Sequence, residues 1–105
     1  MTNSHERPVI RGLELRYVLV LALLGWKAPL SVAELVAAVE RAGFSPPGRP
    51  GKAVADALRW EVRRGRVLRA GRDKYIVGYV AKVTRYRMQT RVARMRTHGV
   101  YRPAA

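Results

Sequence analysis

The stretch GKAVADALRWEVRRGRVLRAGRDKYIV, Gly51 to Val77, decides how this chain is read. Wound at about 100° per residue, its first part sets Val54, Leu58 and Val62 on one side and Lys52, Asp56, Arg59 and Arg63 on the other. The first side suits a core and the second suits a partner. Gly65 stands where a helix needs a residue that turns left-handed. Short apolar runs on either side of Ala70-Gly71-Arg72-Asp73 then predict a hairpin, so the stretch reads as helix, stop, hairpin.

The charge around this stretch names the kind of partner. The 105 residues hold 21 Lys and Arg against 7 Asp and Glu, a net of +14, and 17 of the 21 are Arg. Arginine is the side chain that forks onto phosphate oxygens and guanine edges. Residues 1–48 carry a net of +1 and residues 49–105 a net of +13, so a polyanion is expected on the C-terminal half. The absence of cysteine excludes a disulfide scaffold, a thiolate zinc site and a cysteine nucleophile, and it is compatible with a reducing compartment. A cytoplasmic protein, at the nucleoid, is expected. The two histidines, His5 and His98, have no carboxylate spaced to join them, so no metal site and no cofactor are expected.

Upstream, Met1 to Arg11 shows no period and is expected as a loose tail. Leu13 to Trp26 is apolar nearly all round and predicts the most buried helix. Its uninterrupted run from Tyr17 to Trp26 is ten residues, short of the roughly twenty that cross a bilayer. It has neither the basic start nor the cleavage site of a signal sequence. Lys27 to Leu30 reads as a short extended link. Ser31-Val32-Ala33-Glu34 is a capping box flanked by Leu30 and Leu35, and it opens a second helix that stops at Gly43, with Phe44 folding back onto the core. The loop Ser45 to Gly51 is proline-rich and carries Arg49 and Lys52 to the start of the third helix, where free amides favour a phosphate.

Downstream, Tyr79 to His98 has no breaker before Gly99. Tyr79, Val83, Tyr86, Thr90 and Ala93 form one stripe, and Val80, Met88, Val92 and Met95 a second, with arginines between. One stripe docks on the domain. The second, Val80 to Met95, is assigned to a symmetric contact, making a homodimer through this helix the expected assembly. The early β-branched residues leave open an extension of the hairpin instead. On this division the segment after Gly78 adds affinity and assembly but not fold.

Three helices, the second opened by a capping box and closed by Ala42-Gly43-Phe44, the third running Ala57-Leu58 to Val62-Arg63-Arg64-Gly65-Arg66-Val67-Leu68 into a hairpin, resemble the winged-helix superfamily. Ser31 to Leu68 is loosely similar to linker-histone globular domains. Gly65 to Arg69 and Gly71 to Tyr75 resemble segments of small bacterial winged-helix regulators and antitoxins. The similarity covers residues 12–78 and rests mostly on apolar spacing and two glycines. Glu61 departs from it, standing near the edge of the apolar face where many such helices carry leucine, and the hairpin is short. The implied fold is α+β and mostly helical: a three-helix domain at 12–78 with a short hairpin wing, a basic C-terminal helix at 79–98, and tails at 1–11 and 99–105.

The expected function is binding of double-stranded DNA. Arg49, Lys52, Asp56, Arg59, Arg63 and Arg66 are assigned to it from the third helix and its ends, Arg69, Arg72 and Lys74 from the wing, and Arg85, Arg87, Arg91 and Arg94 from the last helix. Arg59 and Arg63 suit guanine edges or phosphates, whereas Asp56 accepts from a cytosine amino group or orients Arg59. Trp60 is expected to pack under the wing or the last helix rather than against a base. A sequence-reading regulator and a non-specific nucleoid binder both fit, with RNA binding and a protein-interaction module as alternatives. RNA ranks below DNA because exposed aromatic platforms are scarce in this reading. Asp56, Glu61 and Asp73 build no catalytic carboxylate pair, so neither an enzyme nor a small-molecule substrate is expected.

Overall fold

A computed structural model of the chain describes residues 7–100. The expectations made for residues 1–6, His5 among them, and for residues 101–105 lie outside the described residues. The order is α1 (Gly12–Gly25), β1 (Leu30–Ser31), α2 (Val32–Arg41), α3 (Pro50–Arg63), β2 (Val67–Arg69), β3 (Lys74–Val77) and α4 (Lys82–His98). The fold is α+β and mostly helical, with four helices and a three-stranded antiparallel sheet in the order β1-β3-β2. No helix among the described residues is long and apolar enough to cross a membrane.

α1 is apolar nearly all round because it is packed against on most sides. Leu15, Tyr17, Val18, Leu19, Val20 and Leu23 are buried, and α2, α3, α4 and β3 all pack against it. α2 starts at the expected capping box, with Ser31 Oγ accepting from the Glu34 amide at 3.1 Å and Glu34 Oε1 accepting from the Ser31 amide at 2.8 Å. It stops at Gly43, and Phe44, fully buried, donates its amide to the Val39 carbonyl at 3.1 Å.

The link expected before α2 is shorter than foreseen, because Leu30 and Ser31 form β1 and pair with Tyr75 and Lys74 of β3. The tail also ends sooner. Ile10 is fully buried, its amide donates to the Ser45 carbonyl at 2.9 Å, and the Ser45 amide donates to the Pro8 carbonyl at 3.0 Å. One isolated isoleucine bonded to a residue far along the chain leaves no local period.

α3 begins with Pro50, whose missing amide costs nothing in a first helical turn. Its buried residues are Val54, Ala57, Leu58 and Glu61, with Val62 only half-buried, so the inner face is rotated from the expected one toward Ala57 and Glu61. Gly65, at φ +77°, ends the helix as expected, and the Arg66 amide reaches the Glu61 carbonyl at 3.1 Å. The hairpin pairs Val67 with Val77, Leu68 with Ile76 and Arg69 with Tyr75. Past β3 the pairing continues through the Gly78 amide to the Arg66 carbonyl at 2.8 Å. A side chain at Gly78 would collide with the Gly65 carbonyl, so the chain passes there only as glycine.

α4 overturns the expected division of the chain. Met88, Val92 and Met95, assigned to a dimer contact, are buried against the domain itself, while Tyr79, Val83 and Tyr86 stay exposed. α1 is the reason, since its apolar surface continues past what α2 and α3 cover. Burying three such side chains contributes about 5–9 kcal/mol before ordering costs. That is comparable with the whole stability of an ordinary domain, so α4 belongs to the core.

Candidate nucleic-acid interface

Lys52, Asp56, Arg59 and Arg63 recur at helical spacing along the exposed side of α3. Asp56 holds the first two basic residues in place: Lys52 Nζ donates to Oδ2 at 2.8 Å, and Arg59 Nη1 lies 3.4 Å from Oδ1. The hydrogen bond from Lys52, opposed by desolvation and reinforced by the charges of Lys52 and Arg59, holds the Asp56 carboxyl below its ordinary value. This geometry is compatible with Asp56 orienting Arg59, one of the two roles expected for it.

Arg63 lies with its guanidinium 5.3 Å from the centroid of the Trp60 ring, and Arg16 of α1 lies 5.7 Å from the same ring. Trp60 is half exposed and flanked by these two guanidinium groups, so it is less covered than a ring packed under the hairpin or α4 was expected to be. With Lys52, Asp56, Arg59 and Arg63 it lines a shallow depression of about 330 Å³. Arg49, at the N-cap of α3, is also exposed.

Beneath this face lies an ionic cluster that spacing did not reveal. Glu61 is fully buried and accepts two hydrogen bonds from Arg66, from Nε at 2.6 Å and from Nη2 at 3.0 Å. Arg16 Nε lies 3.1 Å from Glu61 Oε2 but is not aligned to donate, and it has no hydrogen-bond partner. Arg66 is therefore a structural residue, and its assignment to DNA is corrected. A local signal was present in Arg16, a cation between Leu15 and Tyr17 of a buried helix that calls for a counter-ion, while the nearby Glu14 is taken by Arg91.

The hairpin residues divide. Arg69 lies 5.6 Å from the Tyr75 ring centroid, with Nη1 3.5 Å from the Tyr75 hydroxyl, so it is laid along its cross-strand neighbour. Lys74 reaches Glu34 at 3.9 Å, joining β3 to the α2 cap. The Glu34 carboxyl is held below its ordinary value, first by the Ser31 amide, then by the Ser31 hydroxyl and the Lys74 charge. Arg72, in the loop beside Asp73 at φ +58°, is exposed and has no ion-pair partner among the described residues.

The α4 residues form a separate group. Arg91 is paired with Glu14 at 3.3 Å. Lys82, Arg85, Arg87 and Arg94 are exposed with no carboxylate in ion-pair range among the described residues. Tyr79, just before the helix, and Val83 and Tyr86 on it are 77%, 69% and 70% exposed, and the two tyrosines supply exposed aromatic surface that was expected to be scarce. Arg64, at the C-cap of α3, is exposed and unpaired too, and was missed because it lies off the stripe of Lys52 to Arg63. Compared with protein-family models, curated proteins and solved structures, the chain matches none of them.

Proposed function

We propose that this chain is a winged-helix protein that binds duplex DNA, with the exposed side of α3 as its primary contact and β2–β3 as the wing. The observation that carries the reading is the row of Lys52, Arg59 and Arg63 on α3, oriented by Asp56 and Trp60, within a half of the chain whose net charge is +13. The element order and the sheet that joins the strand before α2 to the hairpin support the fold assignment. Arg49 and Arg72 extend the contact at either end, and Lys82, Arg85, Arg87 and Arg94 add general attraction. The protein acts by binding, as a small regulator or nucleoid-associated factor in the cytoplasm.

The exposed Trp60, Tyr79 and Tyr86 among arginines favour a second reading, single-stranded nucleic acid or RNA, in which bases stack on these rings. Titration of duplex DNA, single-stranded DNA and RNA of equal length over a range of salt separates the two. Neutralising roughly four to eight phosphates on duplex gives a slope of log K against log salt of about −4 to −7. Tighter binding to either single strand selects the second reading, and a slope near zero rejects both.

A further inference from the structure

A groove of about 580 Å³ lies between α1, α2 and α4 and shares no residue with the α3 depression. Val18, Leu21, Ala22 and Val92 are among its apolar lining, and Trp26, 56% exposed, borders it. Its charged lining is wholly basic, consisting of Arg41, Arg85 and Arg96. Arg41 and Arg85 have no ion-pair partner among the described residues, and Arg96 commits only its Nε, to the Ala42 carbonyl at 3.1 Å. Along α4, Arg85 and Arg96 are separated by about 16 Å, three turns of helix. An apolar surface bordered by tryptophan and arginine has the composition of a protein-binding hot spot.

We propose that this groove docks an acidic amphipathic helix from a partner protein. Three turns of such a helix lay an apolar stripe on the partly exposed Leu21, Ala22 and Leu24, over a floor of Val18 and Val92, and carboxylates near its two ends meet Arg85 at one and Arg96 at the other, with Arg41 alongside. A second copy of this chain is a poor occupant, because four of its seven acidic residues, Glu14, Glu34, Asp56 and Glu61, are already ion-paired within it. A duplex would meet the arginines but leave the apolar lining uncovered. The groove stands apart from α3, so contact there leaves it open, while nucleic acid drawn to α4 competes with the partner for Arg85 alone.

The test uses the full chain and three probes: a labelled peptide of Leu, Ala and Glu patterned as an amphipathic helix, a scrambled peptide of the same composition, and decanoate. The patterned peptide should bind at least about tenfold tighter than the scrambled one, the size of a hot-spot contribution. It should shift the amide resonances of Ala22, Gln89 and Val92 and leave those of Asp56 and Arg59 in place. R41Q/R85Q, at two exposed positions, should weaken it by about tenfold with an unchanged circular dichroism spectrum. Equal binding of both peptides would reduce the effect to general attraction to a basic protein and overturn the proposal. Shifts confined to α3 would overturn it as well. So would decanoate occupying the groove while the patterned peptide does not, which would make the site one for a small anionic amphiphile.

Discussion

The exposed sides of α3 and α4 are both basic, yet they are built differently. On α3 every cation of the central row is restrained by the protein itself, Lys52 and Arg59 by Asp56 and Arg63 by the Trp60 ring. On α4, Lys82, Arg85, Arg87 and Arg94 have no such restraint, and the helix contains no acidic residue at all. Restrained side chains lose less freedom when they bind, and they present their groups in fixed positions. Free ones supply attraction that depends on charge and little on geometry. Under the proposed function, this difference assigns orientation of the nucleic acid to α3 and the raising of its local concentration to α4.

The most drastic way to break the comparison is to remove one side of it. A chain shortened to end at Gly78 loses Met88, Val92 and Met95 from the core and uncovers α1. The expected outcome is loss of cooperative thermal unfolding, because about 5–9 kcal/mol of burial disappears. A sharp transition in the shortened chain, followed by circular dichroism, would return α4 to the status of an accessory.

A smaller break acts beneath α3. Glu61→Gln keeps the shape but leaves the largely buried guanidinium groups of Arg16 and Arg66 without their anion. Stranding buried charge in this way costs about 3–5 kcal/mol. The melting temperature should fall strongly, and the Trp60 emission should change as Arg16 shifts beside the ring. An unaltered melting curve would mean that the cluster stabilises nothing.

The smallest effect comes from a site that touches neither face and so serves as a reference. Ser31→Ala removes a cap worth ~1 kcal/mol and should lower the melting temperature while duplex affinity stays unchanged. Glu34 is held below its ordinary value of 4.5, so its part in the cap is fully present above that pH and is lost as pH falls through the lower folded value. The stability difference between Ser31→Ala and the parent should therefore shrink in acid. The bond from the residue 31 amide to Glu34 is kept in both chains and cancels, so a constant difference would mean that the Ser31 hydroxyl does not act on the Glu34 carboxyl.

These three sites also differ in how far the sequence exposed them. The capping box is legible because its two residues are three apart and their hydrogen bonds are local. Gly65 is legible for a similar reason, since only the end of the preceding helix demands it. The choice between the two stripes of α4 was not legible, because each is apolar and narrow. It is decided by the surface of α1, which receives Met88, Val92 and Met95 and leaves Tyr79, Val83 and Tyr86 outside. The Arg16, Glu61 and Arg66 cluster joins segments distant in sequence, and although Arg16 and Glu61 each stand out beside apolar residues, their pairing is set only when the helices pack. Of the candidate site, the row Lys52 to Arg63 was visible from periodicity. Its restraint by Trp60 was not, since that depends on which way the ring turns.

The most direct measurement compares two triple variants of equal charge on one duplex of fixed length, by fluorescence anisotropy over a range of salt. K52A/R59A/R63A and R85A/R87A/R94A each remove the same positive charge, so general attraction falls equally in both. The α3 variant should lose about 2–4 kcal/mol more than the α4 variant, the worth of one or two well-placed contacts to base edges, and the gap should persist at high salt. Equal losses that vanish together as salt rises would contradict a primary contact at α3 and leave a basic surface without a preferred face.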